Sequence, residues 1–202
     1  MVHAYLQELV TPAVAAVQEQ QGSRPAQARH VAHAEVGERL GPDEAAFVAS
    51  RDWFVLATVG ETGWPYVQHR GGPAGFLRVL DDGATLAWAD VRGNRQYLSV
   101  GNLATRPRVS LLLLDQARQA RLKVIGEAEV VEEPDDALLA AVRHPEQAGR
   151  VERVVRVRVR GYDWNCPQHI TPRFTAEELA PLLSELESLR AEVERLRRSA
   201  AT

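Results

Sequence analysis

Three stretches of this chain gather residue types that do chemistry. In the first, Tyr66-Val67-Gln68-His69-Arg70-Gly71-Gly72, amide, imidazole and guanidinium groups run into two glycines. Glycines there let the backbone approach something closely. The second is Trp88-Ala89-Asp90-Val91-Arg92-Gly93-Asn94-Arg95. It reads as a strand that passes through a short loop into a helix from Asn94 to Leu103. A helix start offers unpaired amides, Gly93 allows a tight turn, and Arg92 and Arg95 add positive charge. Those are the ingredients of a phosphate site. The third, Gly161-Tyr162-Asp163-Trp164-Asn165-Cys166-Pro167-Gln168-His169, is rich in aromatic and amide groups and reads as a loop after the last strand.

Each group also has a plainer use. Gly-Asn-Arg alone is an ordinary surface turn. A lone histidine such as His69 serves as a hydrogen-bonded structural residue, and Trp164 as a core anchor. Cys166 and His169 have metal-like spacing, but a single cysteine without a second ligand cluster argues against zinc. Arg156, Arg158 and Arg160 read as a solvated or interface face. A net charge of −3 and a pI near 6.1 do not supply the dense positive surface of a nucleic-acid binder.

The elements that must position these groups follow from periodicity. From Trp53 onward, β-branched and aromatic runs alternate with Gly/Asp turns. The runs are 53–59, 65–70, 76–80, 85–89, 109–114, 122–131 and 151–160. Short strands so spaced predict a meandering antiparallel sheet or barrel. Val109 to Leu114 is apolar on both faces and reads as a central strand covered on both sides. In the last run Val155, Val157 and Val159 oppose the arginines. Helices flank the strands. Residues 3–21 have helical spacing broken by Pro12, which predicts a kink or two short helices. Gly22 to Ala28 reads as a loop. Gly41-Pro42-Asp43-Glu44 opens a helix to about Ser50, with the acids at its start. Asp135 to Val142 is a further short helix. The chain divides into a helical extension 1–40, a β domain 41–174 and an amphipathic helix 175–202.

That last helix carries Leu179, Leu182, Leu186, Leu189, Val193 and Leu196 at 3,4,3,4,3 spacing, with Thr175 and Glu178 as a capping box. Such a helix is marginal alone. The stripe either packs on its own domain or pairs across a dimer.

In order, the Gln-His-Arg strand, the Trp-Ala-Asp strand end, Gly-Asn-Arg and then Arg106-Pro107-Arg108-Val109-Ser110 resemble the pyridoxamine 5′-phosphate oxidase-like family of FMN-binding split barrels. The resemblance covers about residues 43–133, and Asp163 to Phe174 is similar to the tail of one subgroup. It implies a mostly β fold, a six-stranded antiparallel split barrel, here with N-terminal helices and a C-terminal leucine-striped helix. It also implies a homodimer with FMN at the interface. By position, Arg95 matches the basic residue that grips the FMN phosphate, and Asn94 stands where the oxidases have a second basic residue. Trp88, Ala89 and Asp90 line the ribityl chain and ring. Gln68, His69, Arg70 and Gly71 lie on the neighbouring strand facing the isoalloxazine. Trp164 and Gln168 are implied contributions from the partner subunit. Two departures argue against oxidation of pyridoxamine phosphate itself. One is Asn94; the other is the absence of the oxidases' Arg-Leu-x-Pro ending.

The resulting expectation is an FMN-dependent oxidoreductase acting on a small organic substrate. A non-catalytic flavin-binding or sensor module is an alternative, as is a split barrel that uses deazaflavin or haem. No metal, nucleic-acid or membrane partner is expected. The N-terminus lacks a signal peptide's charged start and apolar run, and no membrane-length apolar stretch occurs. One cysteine precludes an internal disulfide. These features point to the cytoplasm.

Overall fold

The structure, a computed structural model, describes residues 4–31 and 39–200. Parts of the expected extension 1–40 and the last two residues of the expected helix 175–202 lie outside the described residues. Pro12 does divide the first helix: α1 is Ala4–Leu9 and α2 is Pro12–Gln20, capped by the Thr11 hydroxyl. The polar stretch after Gly22, expected as a loop, instead contains helix α3, Arg24–Val31. Its apolar residues are too few for periodicity to reveal it. Helix α4 is Pro42–Ala49, as the proline and acids at its start predict.

Seven strands follow, joined as one antiparallel sheet in the order β2-β1-β5-β6-β7-β4-β3. They are β1 Trp53–Val59, β2 Pro65–Gly71, β3 Arg78–Leu80, β4 Thr85–Val91, β5 Arg108–Asp115, β6 Ala120–Val131 and β7 Val151–Asn165. All seven runs read from the sequence form strands, one more than the resemblance implies. The third is shorter than expected: Phe76 and Leu77 enter the core ahead of it. Helix α5, Leu98–Thr105, links β4 to β5, and α6, Asp136–Val142, links β6 to β7. Strand β7 runs on through Asn165, so the third chemical stretch is mostly strand, paired with β6 from Ile125↔Gly161 to Arg121↔Asn165.

Alternation builds the core. Phe54 and Leu56, Val109, Leu111 and Leu113, Leu122 and Val124, and Val155, Val157 and Val159 all turn inward. Each fully buried apolar side chain of this size contributes about 1.5–3 kcal/mol. The opposite face of β5 departs from expectation: Leu112 and Leu114 are only half-buried. On the outer face of β7, Arg158 bonds Glu127 and Arg156 sits 2.6 Å from Glu129, each directly across on β6. Cross-strand pairs of opposite charge stabilise a sheet modestly, and exposure screens these.

Two fixtures tie the periphery to the barrel. The Glu44 carboxylate accepts the Gly41 amide at 3.0 Å and the Trp164 indole N–H at 2.7 Å. Trp164 also meets Phe47 edge-on, so α4 and the end of β7 are held together. Helix α1 crosses β7 at Gly161, where a Cβ would stand 2.4 Å from the Tyr5 backbone nitrogen. Helix α7, Ala176–Ala200, begins at the expected capping box, with Thr175 and Glu178 bonding reciprocally. None of its residues is buried, so the stripe does not pack on its own domain. Among the described residues no helix is long and apolar enough to cross a membrane.

Candidate functional site

A cleft of about 260 Å³ opens between the end of β2, the end of β4 and the approach to α5. Strand β2 alternates so that Tyr66, Gln68 and Arg70 are half-buried while Val67 and His69 are exposed. The Tyr66 hydroxyl bonds the Gln68 side chain. Gln68 in turn donates to the His69 carbonyl at 3.2 Å. Arg70 reaches across to β4, with its Nη1 2.6 Å from Asp90 Oδ1.

Asp90 is buried and held between two cations. Arg153 Nε lies 3.7 Å from its second oxygen. Burial pushes the Asp90 carboxyl above the ordinary carboxylate range, against the pull of Arg70 and Arg153; nearby Glu152 adds to the rise. Arg153 also bonds Glu132 at 3.0 Å and Glu152 at 3.3 Å, and its guanidinium lies over the Tyr97 ring. Arg70 Nε and Trp88 Nε1 are buried donors without acceptors among the described residues.

The turn after β4 has an unusual backbone. Arg95 (φ 62°) and Tyr97 (φ 54°) both adopt the left-handed region. Each such residue costs roughly 1–2 kcal/mol. Asn94 Oδ1 accepts the Gln96 amide at 3.1 Å, so the Asn94 side chain shapes the turn. The helix begins only at Leu98, not at Asn94: two left-handed residues cannot be helical, and periodicity does not register them. Tyr97 and Leu98 are consequently exposed, while Leu103 is buried. No side chain caps α5, leaving the first-turn amides at Leu98, Ser99 and Val100 without intrahelical partners beside the cleft. Arg92 Nε lies 3.8 Å from Glu152, whereas Arg95 makes no ion pair among the described residues.

The structure brings together Gln68, His69, Arg70, Gly71, Trp88, Ala89, Asp90, Asn94 and Arg95 as cleft-lining residues. Two of them turn elsewhere. The His69 ring stacks on Trp53 on the outer face of β2, and Trp88 packs edge-on to Phe54 in the core. Trp164 and Gln168 are not brought to the cleft of their own protomer; Trp164 serves Glu44, and Gln168 is exposed. Cys166 is free and exposed, and among the described residues no cluster of potential metal ligands occurs. Sequence reasoning missed Tyr66, Gln147, Glu152, Arg153 and the amides of 98–100. Only Tyr66 stood within a stretch already singled out.

The chain matches the family model described as pyridoxamine 5′-phosphate oxidase over residues 40–160. No curated protein matches it. Among solved structures it is similar to a variant of HupZ from Group A Streptococcus, at 16% identity and a TM-score of 0.48, covering 62% of this chain and 99% of that one. A putative pyridoxamine 5′-phosphate oxidase from Lactobacillus delbrueckii aligns at 22% identity and a TM-score of 0.47, over 62% and 93% of the two chains. An FMN-binding protein from Syntrophomonas wolfei aligns at 15% identity and a TM-score of 0.44, over 59% and 81%. These likenesses are of fold alone. The family model spans more than half of the sequence and coincides with the sheet and its cleft, and on that match the chain belongs to the pyridoxamine 5′-phosphate oxidase family of split barrels.

Proposed function

We propose that the chain binds flavin mononucleotide in this cleft, as a homodimer with the cofactor at the interface, and acts as an oxidoreductase on a small organic substrate. The observation that carries the proposal is Arg95: a cation without an acidic partner, beside a helix start with no cap. An anion is the missing partner of both. The strain at Arg95 and Tyr97 fits a turn held for binding rather than for stability. The unfilled Nε donor of Arg70 suits a ligand rich in acceptors.

Bound there, the flavin supplies hydride or electron transfer. The protein's part is to hold and bias it. Arg95 and the amides of Leu98 to Val100 would take the phosphate. Arg70, fixed by Asp90, would supply positive charge to the bound ring and so favour its reduced anion. The cleft, at about 260 Å³, falls just below the range of ligand sites, about 300–1,000 Å³, as suits a site that a second protomer completes. The half-exposed Leu112 and Leu114 face of β5 would be covered by such a dimer. Trp164 and Gln168 belong to the proposal only as groups offered to a partner's cleft.

The test is the absorption spectrum of the purified protein, with the released cofactor identified by mass. Flavin bands and the mass of FMN are expected; a Soret band or a deazaflavin overturns the reading. Reduction by a nicotinamide, followed by turnover with an acceptor, separates an oxidoreductase from a flavin-binding module that does no chemistry.

A further inference from the structure

Helix α7 is 25 residues long and buries no side chain in its own protomer. Leu182 is 62% exposed and Leu189 57%, values that an isolated helix in water does not sustain. The apolar residues fall on a heptad, with Leu179, Leu186 and Val193 at a and Leu182, Leu189 and Leu196 at d. Pro181, which breaks a backbone bond within the helix, falls at position c and so outside the seam.

The flanking positions identify the partner. Every g position from the start of the helix to the third heptad is acidic: Glu178, Glu185 and Glu192. The e positions are Leu183, Arg190 and Arg197. In a parallel pair, g of one helix meets the following e of the other, so Glu185 faces Arg190 and Glu192 faces Arg197, twice each by symmetry. In an antiparallel pair, g meets g and e meets e, and glutamate faces glutamate while arginine faces arginine. Glu185 and Arg190 have no ion-pair partner within the protomer, among the described residues.

We propose that α7 pairs with α7 of a second copy of this chain as a parallel, in-register, two-stranded coiled coil. Leucine at every d position, with β-branched Val193 at a, suits two strands. The helix forms a rod about 37 Å long at 1.5 Å per residue, and it holds two barrels by their C-terminal ends. This pairing is independent of what the cleft binds.

The test uses the full chain with Cys166→Ser, which removes the native thiol. Leu196→Cys in that background should form an interchain disulfide in an oxidised glutathione buffer, because parallel register sets d beside d. Ala191→Cys, at f on the outside, should not. Failure of the Leu196→Cys crosslink overturns the pairing. A crosslink between Leu196→Cys and Leu179→Cys chains, mixed in equal amounts, that outruns Leu196→Cys alone overturns the parallel orientation. Glu185→Arg should weaken association through the helix about tenfold, and adding Arg190→Glu should restore it. If the double exchange restores nothing, the partner is not a second copy. These readouts do not depend on bound cofactor, so they stand or fall apart from the flavin reading.

Discussion

Two buried aspartates, one at the cleft and one far from it, show what separates a site from a staple. Asp115, at the end of β5, is 3% exposed; Asp90 is 7% exposed. Each sits between two arginines. Arg51 lies 2.6 Å and Arg118 3.2 Å from Asp115. Burial alone would raise the Asp115 carboxyl. The Arg118 amide, bonded at 2.8 Å, and the two guanidiniums outweigh it and hold the carboxyl below its ordinary range. Asp90 has no such amide, it has Glu152 nearby, and its carboxyl is pushed up instead. The first carboxylate is fully answered by its own chain. The second is not: burial outweighs the pull of its two cations.

That contrast can be broken in several ways. The largest effect is expected at Asp115→Asn, which leaves Arg51 without its partner and should cost about 3 kcal/mol in chemical denaturation. Because the folded Asp115 titrates below its unfolded value, its contribution is present above the ordinary carboxylate range and is lost as pH falls through the folded value. The deficit of Asp115→Asn should therefore grow as pH rises toward ~4 and hold level above it. A deficit that is flat with pH would remove the staple.

Next in size is Arg95→Ala. It should weaken FMN binding roughly 10- to 100-fold by titration calorimetry, for the loss of one charge-assisted contact of about 1.5–3 kcal/mol. The melting temperature of the cofactor-free protein should not fall, since Arg95 answers no acid among the described residues. A drop in that temperature with unchanged affinity would make Arg95 structural.

Asp90→Asn sharpens the comparison by sign. The folded Asp90 carboxyl titrates above its unfolded value, so wild-type stability falls as pH rises through that window. The deficit of Asp90→Asn should shrink as pH rises above ~4, the range in which that of Asp115→Asn holds level. Parallel slopes would show that the two aspartates do not differ.

The smallest effect concerns the helix that the barrel ignores. Truncation after Glu178 should change barrel stability by less than about 0.5 kcal/mol at low protein concentration, because no side chain beyond that point is buried.

Legibility in the sequence divides along the same line. Strand β1 was readable to its ends, and the valine–arginine alternation of β7 gave the correct inner face, because period-two patterns report burial directly. The cleft was readable where its residues are consecutive, as in Gln68 to Gly71. It was not readable at Arg153 and Glu152, which arrive on β7 and resemble surface charges in the sequence. Arg51 with Asp115, and Glu44 with Trp164, are pairings of distant residues that no local pattern announces. The start of α5 was misplaced because left-handed backbone at an arginine and a tyrosine has no compositional mark. His69 lines the cleft, while strand parity stacks its ring on Trp53, a pairing that no local pattern announces.

Gly161 leaves one more lever. The N-terminal arm rests on the barrel where β7 presents nothing larger than a hydrogen, with the Tyr5 backbone where a methyl would stand. Gly161→Ala would act as a wedge there, lifting the arm while leaving the sequence of the arm untouched. The arm is in that sense a removable part, and its purpose can be asked separately from that of the barrel beneath it.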